Sequence, residues 1–114
     1  MHRLISLPGE ENPEEVALIE QPEAPVLFLS SASTDIATLA KVLNQKKNSK
    51  WSNRIRALPI SAIVHQAQID HYLATTGSAA RIIVVRLLGG KGHWSYGLEQ
   101  LEIWQKTNSE RELI

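Results

Sequence analysis

The stretch Ile82-Ile83-Val84-Val85-Arg86-Leu87-Leu88-Gly89-Gly90-Lys91-Gly92-His93-Trp94-Ser95-Tyr96-Gly97-Leu98-Glu99 decides how the rest of the chain is read. A β-branched apolar run is the signature of a strand buried on both faces, as in a parallel sheet. It stops at a glycine-rich turn. His, Trp, Ser and Tyr follow, and a helix-like segment begins. Strand–turn–helix junctions of this kind lie at the carboxyl ends of open α/β sheets, where ligands bind. Arg86, Gly89, Gly90, His93, Trp94 and Tyr96 are therefore the candidate ligand-binding or interdomain contact residues.

Working outward, the alternation of strands and helices continues on both sides. Val26-Leu27-Phe28-Leu29 is an apolar run followed by the polar loop Ser30-Ser31-Ala32-Ser33. Thr34 or Asp35 is placed to cap the next helix by accepting from free backbone N–H groups. In that helix Ile36, Leu39, Ala40 and Leu43 fall on one face. Ile55 to Ile60 reads as a short strand, with Pro59 suiting its end. Gln66 to Thr76 reads as a helix stopped at Gly77. Arg81 to Leu88 is the strongest strand. Trp94 to Thr107 is the last helix, with Leu98, Leu101 and Trp104 or Gln105 inward. Leu4 to Leu7 adds a possible first strand before Pro8-Gly9, and the proline-bearing segment Glu10 to Pro25 is a connector.

This order predicts an α/β fold: a mostly parallel sheet of about four strands with flanking helices. Doubly wound domains usually have five or six strands. The domain therefore reads as incomplete, and Leu113-Ile114 reads as the start of a further strand. One domain spans residues 1–114.

Composition limits the function classes. The chain has 114 residues, no cysteine and a formal net charge of +0. Disulfides and thiolate metal sites are excluded, and a nucleic-acid binder would be expected to carry a basic stripe. The N-terminus lacks the apolar core of a signal peptide, and no run is long enough to span a membrane. Cytoplasmic localisation is the expectation. Charge is nevertheless uneven. Six glutamates precede Pro25, and six basic residues lie between Lys41 and Arg56. Both runs suit solvated loops or a docking face for a partner of opposite charge.

Specific catalytic motifs are absent. Gly89-Gly90-Lys91-Gly92 is followed by His93 rather than Ser or Thr, so it is not a P-loop. Ser95 stands where the dinucleotide fingerprint needs glycine. No Gly-x-Ser-x-Gly elbow surrounds Ser30, Ser31 or Ser33, which read as loop and cap residues. His65 and His71 are six apart and do not share a helical face, so no metal site is expected from them. His93 suits a hydrogen bond to a ligand, axial ligation of a metal carried by one, or a helix cap. Trp104 reads as core. Trp94, beside glycines, reads as exposed or facing a ligand.

Four stretches together resemble the N-terminal part of the cobaltochelatase large subunit. They are Met1–Leu4, Val26–Asp35, Gln68–Leu73 and above all Arg86–Glu99. The Gly-Gly…Trp…Gly-Leu-Glu stretch is also similar to the large subunit of magnesium chelatase. The resemblance runs from Met1 to about Gln105 and covers only the first tenth or so of such subunits, so the chain looks like a truncated or split copy.

That resemblance implies ATP-dependent insertion of cobalt(II) into a corrin precursor, hydrogenobyrinic acid a,c-diamide. The large subunit would hold the tetrapyrrole, while AAA+ partner subunits use ATP and Mg2+. No cofactor is expected in this chain, which would be inactive alone, and no family catalytic residue maps onto it. Two rival readings are a free-standing docking module and a small nucleotide-binding enzyme; the failed glycine motifs disfavour the second. An open sheet edge favours self-association as a homo-oligomer.

Overall fold

The computed structural model describes residues 16–89 and 91–114. The possible strand Leu4–Leu7, and Gly90 of the turn, lie outside the described residues. Four strands and three α-helices alternate: β1 (Val26–Ser30), α1 (Ser33–Leu43), β2 (Ile55–Pro59), α2 (Gln66–Ala74), β3 (Ile82–Arg86), α3 (Ser95–Lys106) and β4 (Glu112–Leu113). All pairings are parallel, in the order β2-β1-β3-β4. The α/β architecture expected from the sequence is thus present. Among the described residues the fourth strand is β4 at the C-terminal side, which the Leu113-Ile114 reading anticipated.

Parallel pairing needs crossovers, and right-handed crossovers fix which face each helix covers. The step from β1 to β2 runs one way across the sheet, and the steps to β3 and β4 run the other way. Accordingly α1 lies on one face, and α2 and α3 lie on the opposite face. The register sets Leu27, Leu29, Leu58 and Ile83 on the α2/α3 face. There they pack with Ile69, Tyr72, Leu101 and Trp104 in the core. Leu27, Leu29 and Ile83 are fully buried.

The α1 face is different. Val26, Phe28, Ile82 and Val84 are only half-buried, although they alternate with fully buried neighbours. Helix α1 has no buried residue, and Val42 is 40% exposed. The predicted inward face of α1 is therefore only partly covered: Ile36, Leu39 and Leu43 are half-buried and Ala40 is exposed.

Polar contacts fasten the edges. Arg111 donates from Nη1 to the carbonyl of Trp104 at 2.8 Å, and its guanidinium stacks over the Trp104 ring at 4.8 Å. The Trp104 indole N–H donates to the carbonyl of Gly77 at 2.8 Å, which confirms Trp104 as core. Helix α2 stops at Ala74, and Gly77 sits in the 3-10 turn Thr76–Ala79 that follows. The described part of the connector, residues 16–25, is irregular, as expected, but attached to the core. Gln21 accepts from the Tyr72 hydroxyl at 2.8 Å and donates to the carbonyl of Ala57 at 3.2 Å.

Two stability experiments follow. Ile83→Ala opens a cavity in a closed layer and should cost about 2–5 kcal/mol in urea unfolding. Val84→Ala, one residue along but on the open face, should cost about 1 kcal/mol or less. Burial pushes the Tyr72 phenol above its ordinary value of 10.0. The neutral phenol is therefore favoured in the fold, so stability is intact below pH 10.0 and declines as pH rises beyond it. Tyr72→Phe should make the alkaline limb of a pH–stability curve shallower.

Candidate functional site

Strands β1 and β3 are neighbours, yet their crossovers leave in opposite directions. Their carboxyl ends therefore form the topological switch point of the sheet, the usual ligand crevice of this architecture. Ser30 to Ser33 approach it from β1, and Arg86 to Gly89 approach it from β3. Gly89 has φ 91, a left-handed conformation that favours glycine.

The crevice is stitched by its own polar groups. Arg86 donates from Nη1 to both carboxylate oxygens of Asp35, at 2.9 and 2.8 Å. The Ser30 hydroxyl, fully buried, donates to Asp35 Oδ2 at 2.8 Å and accepts from the N–H of Ala32 at 3.0 Å. The Ser31 N–H donates to the carbonyl of Arg86 at 3.0 Å. In return the Leu88 N–H donates to the Ser31 hydroxyl at 2.9 Å. Asp35 thus ties α1 to β1 and β3. Neither Thr34 nor Asp35 caps α1: the N-cap is Ala32, without a side-chain cap. The Ser30 hydroxyl accepts from the N–H of Ala32 in the short strand-to-helix loop, and the Asp35 carboxylate is taken up by Ser30 and Arg86 instead.

The structure divides the six candidate residues. Arg86 and Gly89 belong to the switch-point crevice. His93, Trp94 and Tyr96 line a separate pocket of about 210 Å³ between α3 and the start of α2, with Val64, Gln66 and Ile69. His93 is exposed. Gly89 joins the two, since a Cβ on it would meet the His93 ring at 3.9 Å.

The expectation of an exposed Trp94 is corrected: it is 4% exposed and packs in the core cluster. Its indole N–H donates to the carbonyl of Ile63 at 3.0 Å, which satisfies the polar atom and draws the ring inward. The glycines around it do not expose it; one of them makes room for it. Gly97 presents its bare Cα to the Trp94 ring, and a methyl group there would land inside the indole.

Tyr96 is fixed as a donor. Its hydroxyl donates to Asp70 Oδ1 at 2.8 Å, linking α3 to α2. That hydrogen bond raises the Tyr96 pKa and keeps the phenol protonated. Among the described residues no group of three or more His, Asp or Glu is arranged to hold a metal ion. No described helix is long and apolar enough to cross a membrane.

Asp35, Asp70 and Gly97 form parts of the site for which the sequence carries no catalytic or binding motif. The Trp94–Gly97 spacing, one helical turn, was the available signal for close packing. Gly97→Ala should overpack this corner, costing about 1–3 kcal/mol, with blue-shifted Trp fluorescence lost in proportion.

Comparison with known proteins gives a consistent answer. The chain is 33% identical over 102 residues to an aerobic cobaltochelatase subunit CobN from a Sinorhizobium species. It is 34% identical over 102 residues to the subunit of the same name from Pseudomonas aeruginosa. Each match covers 89% of this chain and 8% of the relative, so the chain spans a small part of the length of the proteins it matches. No family model and no solved structure matches it. On the strength of matches that take in nearly all of its α/β fold, the chain belongs to the CobN family of cobaltochelatase subunits and corresponds to a short segment of them.

Proposed function

We propose that this chain serves as a folded unit of the large, tetrapyrrole-binding subunit of an ATP-dependent cobaltochelatase. The reaction is insertion of cobalt(II) into hydrogenobyrinic acid a,c-diamide in cobalamin biosynthesis. The identity to two CobN subunits across 89% of the chain carries this reading. Cobalt is substrate here. ATP and Mg2+ act on AAA+ partner subunits, in keeping with a glycine turn that departs from the phosphate-binding pattern. The chain has no insertion activity alone and works in the cytoplasm within the assembled subunit.

Its geometry supports a positioning role. The pocket of about 210 Å³ beside His93 is smaller than sites that enclose a whole ligand, which run to roughly 300–1,000 Å³. A corrin ring cannot enter it. One peripheral amide arm can, with the exposed His93 imidazole at the mouth to pair with the amide. The buried Trp94 and the Tyr96–Asp70 hydrogen bond hold that wall in place.

The test uses the Pseudomonas aeruginosa relative with its matched stretch deleted, combined with its AAA+ subunits. Adding this chain should restore cobalt insertion into the precursor, read as loss of the metal-free absorbance. His93→Ala should raise KM for the precursor several-fold with kcat little changed, the pattern for lost uniform binding. If His93→Ala instead weakens attachment of the chain to the truncated subunit, the same wall is an interdomain contact. A folded chain that restores no insertion would refute the reading.

A further inference from the structure

The α1 face of the sheet holds a groove of about 580 Å³ between α1 and β3. Its floor is Val26, Phe28 and Val84, and its walls include Leu39, Val42 and Ile55. Its polar lining is Thr38 and, at the carboxyl edge, the Asp35–Arg86 pair. We propose that this groove is the seat of an amphipathic α-helix supplied by the large-subunit polypeptide beyond the segment that this chain matches. The inference rests on the family reading above.

Three observations specify that occupant. The first is the sequence of β3. Ile82-Ile83-Val84-Val85 is apolar on both sides of the strand, the pattern of a strand covered on both faces. In the structure Ile83 is 0% exposed, whereas Ile82 and Val84 remain half-buried. Val85, on the Ile83 face, is also half-buried but packs against the closed core, whereas Ile82 and Val84 have no such layer over them.

The second is topology. Right-handed crossovers that extend the sheet beyond β4 place their helices beside α2 and α3. Helix α1 covers the β2 side of its own face. A helix reaches the remaining area, over β1 and β3, only on a connection that travels back towards β1. Among the described elements none makes that return, and the proposal assigns it to the polypeptide beyond the matched segment. A helix fits better than a strand because the groove runs between α1 and the sheet, where the helical layer of this architecture belongs.

The third is length. The relatives extend far beyond the 8% of their length that this chain matches, so the family polypeptide contains ample chain to make the return. The groove also dictates the helix. Apolar residues at i, i+3, i+4 and i+7 would face Phe28 and Val84. A polar residue at the end near Asp35 and Arg86 would complete it.

The absence of cysteine from the chain allows a direct test. Val84→Cys places a thiol on the floor of the groove, and Ala74→Cys places one on the exposed surface of α2 as a control. Each variant is mixed with the truncated Pseudomonas aeruginosa subunit described above. Co-purification is measured first, then the rate of alkylation by N-ethylmaleimide. The expected result is a complex in which the V84C thiol reacts about tenfold or more slowly than in the free chain, with A74C unchanged. A complex in which V84C keeps its free-chain rate overturns the groove assignment and leaves the family reading standing. Failure to form any complex overturns both. Slow alkylation of V84C already in the free chain, with V84C–V84C disulfide dimers on oxidation, overturns it in favour of a second copy as the occupant.

Discussion

One apolar layer holds this molecule together. Leu27 and Leu29 of the central strand, Leu58 and Ile83 on its neighbours, and Ile69, Tyr72, Leu101 and Trp104 from α2 and α3 close a core on a single side of the sheet. The His93 wall and the turns around it are hung from that layer. The indoles of Trp94 and Trp104 each donate to a loop carbonyl and so pin the Ile63 and Gly77 turns against the core. The Tyr96–Asp70 bond repeats the arrangement at the surface of the same helix pair. Loosening α3 would release the His93 wall, both turns and β4 together.

The other side of the sheet is governed by charge rather than packing. The Ser30–Asp35–Arg86 network fixes the start of α1 over the switch point. The aliphatic residues further along α1 have little beneath them. A helix anchored by one ion pair at its first turn and half-covered thereafter is suited to adjusting its angle when a neighbour arrives. In a large-subunit family such a face is the natural place for one part of the polypeptide to lock onto another.

How far the sequence could be read varies with the physics involved. The strands and helices were legible because hydrophobic periodicity is local, and β3 was clearest because its run is unbroken. The short β4 was legible only as a hint, since two paired residues carry almost no pattern. That β3 ends beside β1 at the carboxyl edge of the sheet is a matter of topology. The wiring of the crevice there was not legible, because the Asp35–Arg86 pairing joins residues far apart in the chain, and no spacing rule relates them. Trp94 was misjudged for a related reason. Neighbouring glycines suggest exposure, whereas Gly97 provides the space that lets the indole sink. The split of Arg86 from His93 and Tyr96 follows from the turn itself, which carries the chain away from the sheet edge before α3 begins.

The parallel order of the strands has a consequence in time. No two adjacent strands are joined by a hairpin, and β1 meets β3 only after the whole β2–α2 unit has been made. On a ribosome the central strand emerges first and waits for both of its partners. Until Ile83 appears, Leu27 and Leu29 have no closed layer to enter. Folding here is limited by loop closure between distant segments rather than by local turns. The nascent chain would therefore keep the apolar strand β1 without its β3 partner until the β2–α2 unit has been made.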